Sequence, residues 1–149
     1  MFQDLLKMLR GELPPEPITG DDSQIAIAAL MVRVARADDS YDGVERDMIE
    51  DVLTHHYDMT PEEATEMRLH AEKVEAEAAD TVRFTRVLKE AVPYEERDAI
   101  AEALWRVALA DNDRSEDENA LLRTVVGLLG ISDRDSGLAR QRAEQSLQN

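Results

Sequence analysis

The chain has 149 residues, enough for one domain with a substantial core. It carries 33 Asp and Glu against 17 Lys and Arg, a formal net charge of −16, and this field argues against binding to nucleic acids and anionic lipids. It favours cations, or basic patches on a partner protein. The absence of cysteine excludes disulfides, thiolate nucleophiles and cysteine-based metal sites, and it fits the cytoplasm.

The first residues predict a short helix followed by a tether. Apolar residues recur at helical spacing over 1–10, and prolines at 14, 15 and 17 end the pattern. We therefore expect an N-terminal helix and proline-rich tether over 1–21, ahead of a helical domain over 22–149. The helix is expected to dock on the domain, and the alternative is an anchor or partner-binding helix. No signal peptide is predicted, because Asp4, Lys7 and Arg10 interrupt the apolar pattern of the first residues. No transmembrane segment is predicted, because the longest apolar run, 25–32, is far below roughly 18 residues.

The middle of the chain predicts four helices in succession. Residues 25–37 are apolar on nearly all sides, which is typical of a helix in the centre of a bundle. A second helix follows from about 42 to 58. Thr60, Pro61 and Glu63 predict a capping box that opens a third, mostly polar helix at the rim of the bundle. A fourth helix begins at Asp80 and ends before Pro93.

The last third predicts a second central helix over 99–110, which contains Trp105, and two further helices. Gly130 is expected to end the first of these, and the last runs from about 131 to 145. No segment shows the alternation typical of a strand. The expected fold is all-α, a compact bundle of roughly seven to eight helices around the two hydrophobic ones.

One part of the sequence is duplicated. Residues 30–45 align with 103–118 at a shift of 73 positions, and six pairs are identical: Arg33 and Arg106, Val34 and Val107, Ala35 and Ala108, Ala37 and Ala110, Asp38 and Asp111, Glu45 and Glu118. We interpret this as an internal pseudo-repeat of helix, acidic turn and helix.

The acidic turns are candidate sites for a divalent cation (Ca²⁺, Mg²⁺ or Zn²⁺), because densely packed hard oxygen ligands suit such ions. The candidate ligands are Asp38, Asp42 and Glu45 in the first unit, and Asp111, Asp113 and Glu118 in the second. The EF-hand signature is not met, since the required glycine and the bidentate Glu are absent from that register.

Helix capping is the structural alternative at both turns. Asp42 with Glu45, and Ser115 with Glu118, have the spacing of a capping box. Asp38 and Asp111 are harder to explain, because they are expected in a last helical turn, where the dipole disfavours a negative charge by roughly 0.3–1 kcal/mol. Capping alone, a divalent cation and a partner-binding role all remain open at this point.

Other polar residues have structural interpretations. Arg33 and Arg106 lie in otherwise apolar helices, and each is expected to pair with an acidic residue of the other repeat. His55 and His56 are expected to complement the dipole at the C-terminal end of their helix. Glu66 and His70 are expected to form a solvated pair. No phosphate-binding loop, nucleophile elbow or catalytic triad is indicated, so we do not predict an enzyme.

Four segments together carry a family resemblance: 102–111 with Glu118, 35–38 with Glu45, 83–88, and 129–135. On these residues the chain resembles the tellurite-resistance TerB-like family over about 23–142. The resemblance implies a bacterial, cytoplasmic, all-helical domain linked to tellurite and other stresses, with a metal-binding acidic face. This chain departs from the family by having Asp39 and Asn112 where glycine is usual. Ser115 stands where the first unit has Asp42, with Asp113 as the substitute carboxylate.

The sequence therefore predicts a non-enzymatic, acidic, TerB-like binding domain that takes a divalent cation in a tellurite or other stress response. The alternative is a metal-independent adaptor whose acidic face meets a basic protein partner.

Overall fold

The computed structural model describes residues 3–14, 21–37, 41, 43–78, 80–91, 96–110 and 116–148. Within these ranges the chain forms eight α-helices and no strand, which confirms the predicted all-α bundle. In chain order they are α1 (Gln3–Arg10), α2 (Asp21–Ala35), α3 (Gly43–His56), α4 (Pro61–Glu77), α5 (Thr81–Ala91), α6 (Arg97–Ala110), α7 (Glu116–Leu128) and α8 (Asp133–Gln148).

Helices α2 and α6 form the centre of the bundle, as their apolar sequences predict. Every residue from 25 to 32 is at most 5% exposed, and the apolar side chains of α6 from Ile100 to Ala108 are also buried. The two helices pack on each other, and together they contact α3, α4, α5, α7 and α8. Burial of these apolar side chains from water is the main driving force for this arrangement.

The repeat extends to a third helix in each unit. Helix α4 packs mainly on α2, and α8 packs mainly on α6. At a shift of 72 positions the two helices start at equivalent residues, Pro61 and Asp133. Their N-caps also correspond, because Thr60 Oγ1 accepts from the amide of Glu63 at 3.1 Å and Ser132 Oγ accepts from the amide of Asp135 at 3.1 Å.

A pair of matching ion pairs supports this extension. Arg68 contacts Glu72 in α4, and Arg140 contacts Glu144 in α8 at 2.9 Å, at equivalent positions one helical turn apart. The duplicated unit is therefore three helices long: α2–α3–α4 corresponds to α6–α7–α8. The change of shift from 73 to 72 reflects a second helix that is one residue shorter in the second unit, since α7 has 13 residues and α3 has 14.

Helix α1 docks on the bundle, against α4 and α5. Leu5, Met8 and Leu9 are at most 3% exposed, and Arg10 reaches Glu77 of α4 at 3.0 Å. The boundary between residues 21 and 22, with the tether before it, stays a prediction, because residues 15–20 lie outside the described ranges.

Two predicted helix boundaries are confirmed by their hydrogen bonds. At the start of α4, Glu63 Oε1 accepts from the amide of Thr60 at 2.9 Å, which completes the capping box. At the end of α7, Gly130 has φ +81° and Ile131 N donates to Val126 O at 3.0 Å, which is the pattern of a glycine-terminated helix.

We predict that Gly130→Ala destabilises the fold by about 1–2 kcal/mol, because an L side chain is strained in the left-handed region. The matched control is Gly137→Ala, inside α8, where a Cβ would meet nothing within 4 Å. That substitution should instead stabilise the chain by roughly 0.5–1 kcal/mol. Urea unfolding of both variants measures the difference, and equal effects of the two substitutions would contradict the assignment of Gly130 as the helix stop.

Candidate functional site

The predicted ligands belong to the connections between α2 and α3 and between α6 and α7. Asp38, Asp42, Asp111 and Asp113 lie outside the described residues, and so does the side chain of Glu118, whose backbone is in α7. Their convergence on a cation stays a prediction. What the structure does describe is the frame that holds the first connection.

Helix α2 ends earlier than the sequence predicts. Its last residue is Ala35, and Ala37 N donates to Val34 O at 3.2 Å in a tightened turn. Asp38 itself lies outside the described residues, so the expectation that it falls in a last helical turn stays a prediction.

Glu45 follows the first connection, and its carboxylate is buried. It lies in the first turn of α3, two residues after Gly43, and is only 1% exposed. A helix N-terminus favours a carboxylate, but burial of a charge still requires strong compensating interactions. Of the six predicted ligands, Glu45 is the one whose side chain the structure describes.

Tyr41 fastens the first connection to α4. Its hydroxyl donates to Glu72 Oε2 at 2.6 Å, and the guanidiniums of Arg36 and Arg46 lie 5.3 and 5.6 Å from its ring centroid. Burial, and then the hydrogen bond to Glu72, raise the pKa of Tyr41 well above its usual value. The phenol therefore stays protonated and remains a donor at neutral pH.

The link continues from α4 to α3 through Arg68. Its Nε donates to Glu50 Oε2 at 2.6 Å, and its Nη1 donates to Glu72. Thr65 also donates to Glu50, at 3.0 Å. This polar network of Tyr41, Glu72, Arg68 and Glu50 ties the connection to two helices. This network was not predicted from the sequence. The spacing of Arg68 and Glu72 was a usable signal, whereas the pairing with Glu50 depends on how α3 crosses α4.

Arg33 does not pair as predicted. Its Nε donates to Glu75 Oε1 at 3.2 Å and its Nη1 to Thr81 Oγ1 at 3.0 Å, while its Nη2 donates to the carbonyls of Glu75 and Ala78. The prediction that Arg33 pairs with an acidic residue of the other repeat is therefore wrong. Helix α4 packs along α2, and its C-terminal carbonyls with Glu75 offer the nearer negative charge.

Arg106 pairs across the two units, as predicted. Its Nη2 donates to Asp51 Oδ2 of α3 at 3.0 Å. Other structural expectations are also confirmed. Trp105 is 4% exposed and donates to Ser136 Oγ at 3.1 Å, and Glu66 and His70 form a solvent-exposed pair at 3.8 Å.

In the described ranges, no three His, Asp or Glu side chains converge closely enough to hold a metal ion. This does not bear on the two connections, because most of their predicted ligands lie outside those ranges. None of the helices, over the residues described, is long and apolar enough to cross a membrane.

Comparison with known families matches residues 24–141 to the model of tellurite resistance protein TerB. The chain belongs to the TerB family. The match begins within α2 and ends within α8, so it covers most of both three-helix units, whereas α1 lies outside it. No curated protein and no solved structure matches the chain.

We predict that Tyr41→Phe destabilises this TerB domain by about 1 kcal/mol, because Glu72 loses a hydrogen-bond donor in a partly buried site. The control is Tyr57→Phe. Tyr57 is half-buried, but its hydroxyl donates to no residue in the described part of the chain, so its removal should change stability by less than about 0.5 kcal/mol. Chemical unfolding compares the two variants, and an equal loss in both would show that Tyr41 contributes only its ring.

Proposed function

We propose that this TerB domain acts by binding, not by catalysis, and that the connection between α2 and α3 takes a divalent cation. The observation that carries the proposal is the fully buried Glu45 carboxylate, which directly follows a connection containing Asp38, Asp39 and Asp42. Carboxylate oxygens are the ligands that Ca²⁺ and Mg²⁺ prefer. A bound cation would offset the negative charge of the carboxylates in this connection.

The frame around the connection supports this proposal. Tyr41 and its network fix the C-terminal end of the connection on α4, while α2 fixes the other end in the core. A connection held at both ends loses less conformational freedom when a ligand binds, which favours affinity. The family name, tellurite resistance protein, supports a role in the response to tellurite. The wider proposal, a role in other stress responses and a place in the bacterial cytoplasm, rests on the family resemblance of the sequence.

The second connection should bind more weakly than the first. It has Ser115 where the first has Asp42, so one carboxylate is missing at the equivalent position unless Asp113 substitutes. Fewer anionic ligands lower the affinity for a hard cation. The two turns are therefore proposed as unequal sites in spite of their shared origin.

The alternative function is a metal-independent adaptor that binds a basic protein. The exposed carboxylates of Glu62 and Glu66, at the start of α4, favour it, since neither is neutralised by Lys or Arg in the described part of the chain. Capture of a basic partner that persists in a chelator and collapses at high salt would identify this function.

The decisive experiment is calorimetry with thermal melting of the intact chain, titrated with Ca²⁺, Mg²⁺, Mn²⁺ and Zn²⁺. We expect binding heat with at least one cation and, at concentrations roughly 100-fold above Kd, a stabilisation of about 2.7 kcal/mol. Asp38→Asn with Asp42→Asn should abolish most of the effect, and Asp111→Asn should reduce it less.

The matched control removes the same charge elsewhere, by Glu62→Gln with Glu66→Gln on exposed positions of α4. This variant should bind the cation as the parent chain does. No heat and no melting shift with any of the four cations would eliminate the proposal, and so would equal losses in the control and in the Asp38 and Asp42 variant.

A further inference from the structure

Two glutamates of α4 hold the two ends of the first connection. At the end that leaves α2, Arg36 Nη1 donates to Glu75 Oε2 at 3.0 Å. At the end that leads into α3, the hydroxyl of Tyr41 donates to Glu72 Oε2 at 2.6 Å. Glu72 and Glu75 are three residues apart in α4, so they are neighbours on the surface of one helix. We call Arg36, Tyr41, Glu72 and Glu75 the clamp.

The two ends of the connection also contact each other. The guanidinium of Arg36 lies 5.3 Å from the centroid of the Tyr41 ring, which is within the range of a cation–π contact. From the side of α3, Arg46 lies 5.6 Å from the same ring and donates to Tyr41 O at 3.4 Å. The connection is therefore a loop whose base is closed by side chains of the chain itself.

The two carboxylates of the clamp are held independently of the connection. Glu75 is buried, and its other oxygen, Oε1, accepts from Arg33 Nε of α2 at 3.2 Å. Glu72 also accepts from Arg68, a mostly buried residue of α4 itself. Because each carboxylate has a second arginine that fixes it in the bundle, α4 offers the connection a rigid base.

The second unit has no equivalent of the contact between Arg36 and Glu75. At the shift of 73 positions Leu109 corresponds to Arg36, and at the shift of 72 Leu147 corresponds to Glu75. Leu109 packs against the core, whereas Leu147 is exposed. Two leucines cannot form a charged hydrogen bond. The complete clamp is therefore specific to the first connection, at positions that are not themselves predicted ligands.

We propose that the clamp raises the affinity of the first connection for its cation, with Arg36 and Tyr41 as positioning residues. This inference rests on the proposed function. Closing a loop costs conformational entropy, and a base that is closed beforehand removes this cost from the binding step. The clamp therefore widens the difference in affinity between the two connections, in addition to the carboxylate that Ser115 replaces.

Tyr41→Phe tests the clamp without a change of charge. It removes the hydroxyl that donates to Glu72 and keeps the ring on which the guanidinium of Arg36 lies. We expect the Kd of the first connection to rise about fivefold, as for the loss of one hydrogen bond, and the Kd of the second to stay unchanged. The control is Ser136→Ala, which removes the acceptor of Trp105 Nε1 in the second unit. It should lower stability without a change in the Kd of the first connection.

Arg36→Met separates positioning from simple electrostatics. The removal of a positive charge beside a cation site would by itself tighten binding, because like charges repel. The loss of the hydrogen bond to Glu75 opens the base of the loop and should weaken binding. We expect the second effect to dominate, with a Kd about two- to fivefold higher. Arg86→Met, at an exposed position of α5, removes the same charge elsewhere and should leave the Kd unchanged.

The isotope-labelled full chain and each variant are titrated separately with Ca²⁺, Mg²⁺, Mn²⁺ and Zn²⁺, and shifts or broadening of amide signals give the Kd. Gly43 and Glu45 report on the first connection, and Ala120 in α7 reports on the second. Urea unfolding of the same samples without added cation gives their stability. A positioning role predicts that the Kd of the first connection does not follow the stability of the variants.

The outcomes distinguish this inference from the proposed function. A parent chain that binds none of the four cations overturns both. If the parent chain binds at Gly43 and Glu45, an unchanged Kd in Tyr41→Phe overturns the clamp alone. Tighter binding by Arg36→Met also overturns it, because the guanidinium would then act only as a repelling charge. Equal weakening by Ser136→Ala would show that affinity follows global stability, and would exclude a specific role of the clamp.

Discussion

The structure depends on the burial of two nearly all-apolar helices side by side. Helices α2 and α6 leave almost no room in the centre for polar groups, so α3, α4, α5, α7 and α8 cover them with apolar faces. A chain of net charge −16 can fold in this way because its charges are placed on the outer faces and in the connections. The acidic residues that come directly after α2 and α6 follow from this constraint, because the chain leaves each central helix at these points.

Two arginines are the exceptions inside these central helices, and they join the layers of the bundle. Arg33 binds the C-terminal end of α4 and Thr81, so one side chain joins α2 to the junction of α4 and α5. Arg106 joins α6 to Asp51 of the first unit. Equivalent positions of an ancestral repeat have thus acquired different partners, one within a unit and one between units.

Much of the fold could be predicted from the sequence, because helical periodicity, the capping box of α4 and the stop at Gly130 are local signals. The repeat of α4 and α8 was also present in the sequence, but it is hidden by the one-residue change of register and few identities. The partner of Arg33 and the pairing of Glu50 with Arg68 could not be predicted, since they depend on the angles between packed helices. For the predicted ligands, the new information from the structure is that the side chain of Glu45 is buried.

The central functional claim is that a divalent cation binds at the connection between α2 and α3. Titration of the isotope-labelled chain with Mn²⁺, read as paramagnetic broadening of each amide signal, tests it most directly. The account predicts that broadening begins at Tyr41, Gly43 and Glu45 at the lowest Mn²⁺ concentration, and reaches the start of α7 only later. Broadening that begins at exposed carboxylates such as Glu62 and Glu66, or uniformly across the surface, would contradict it.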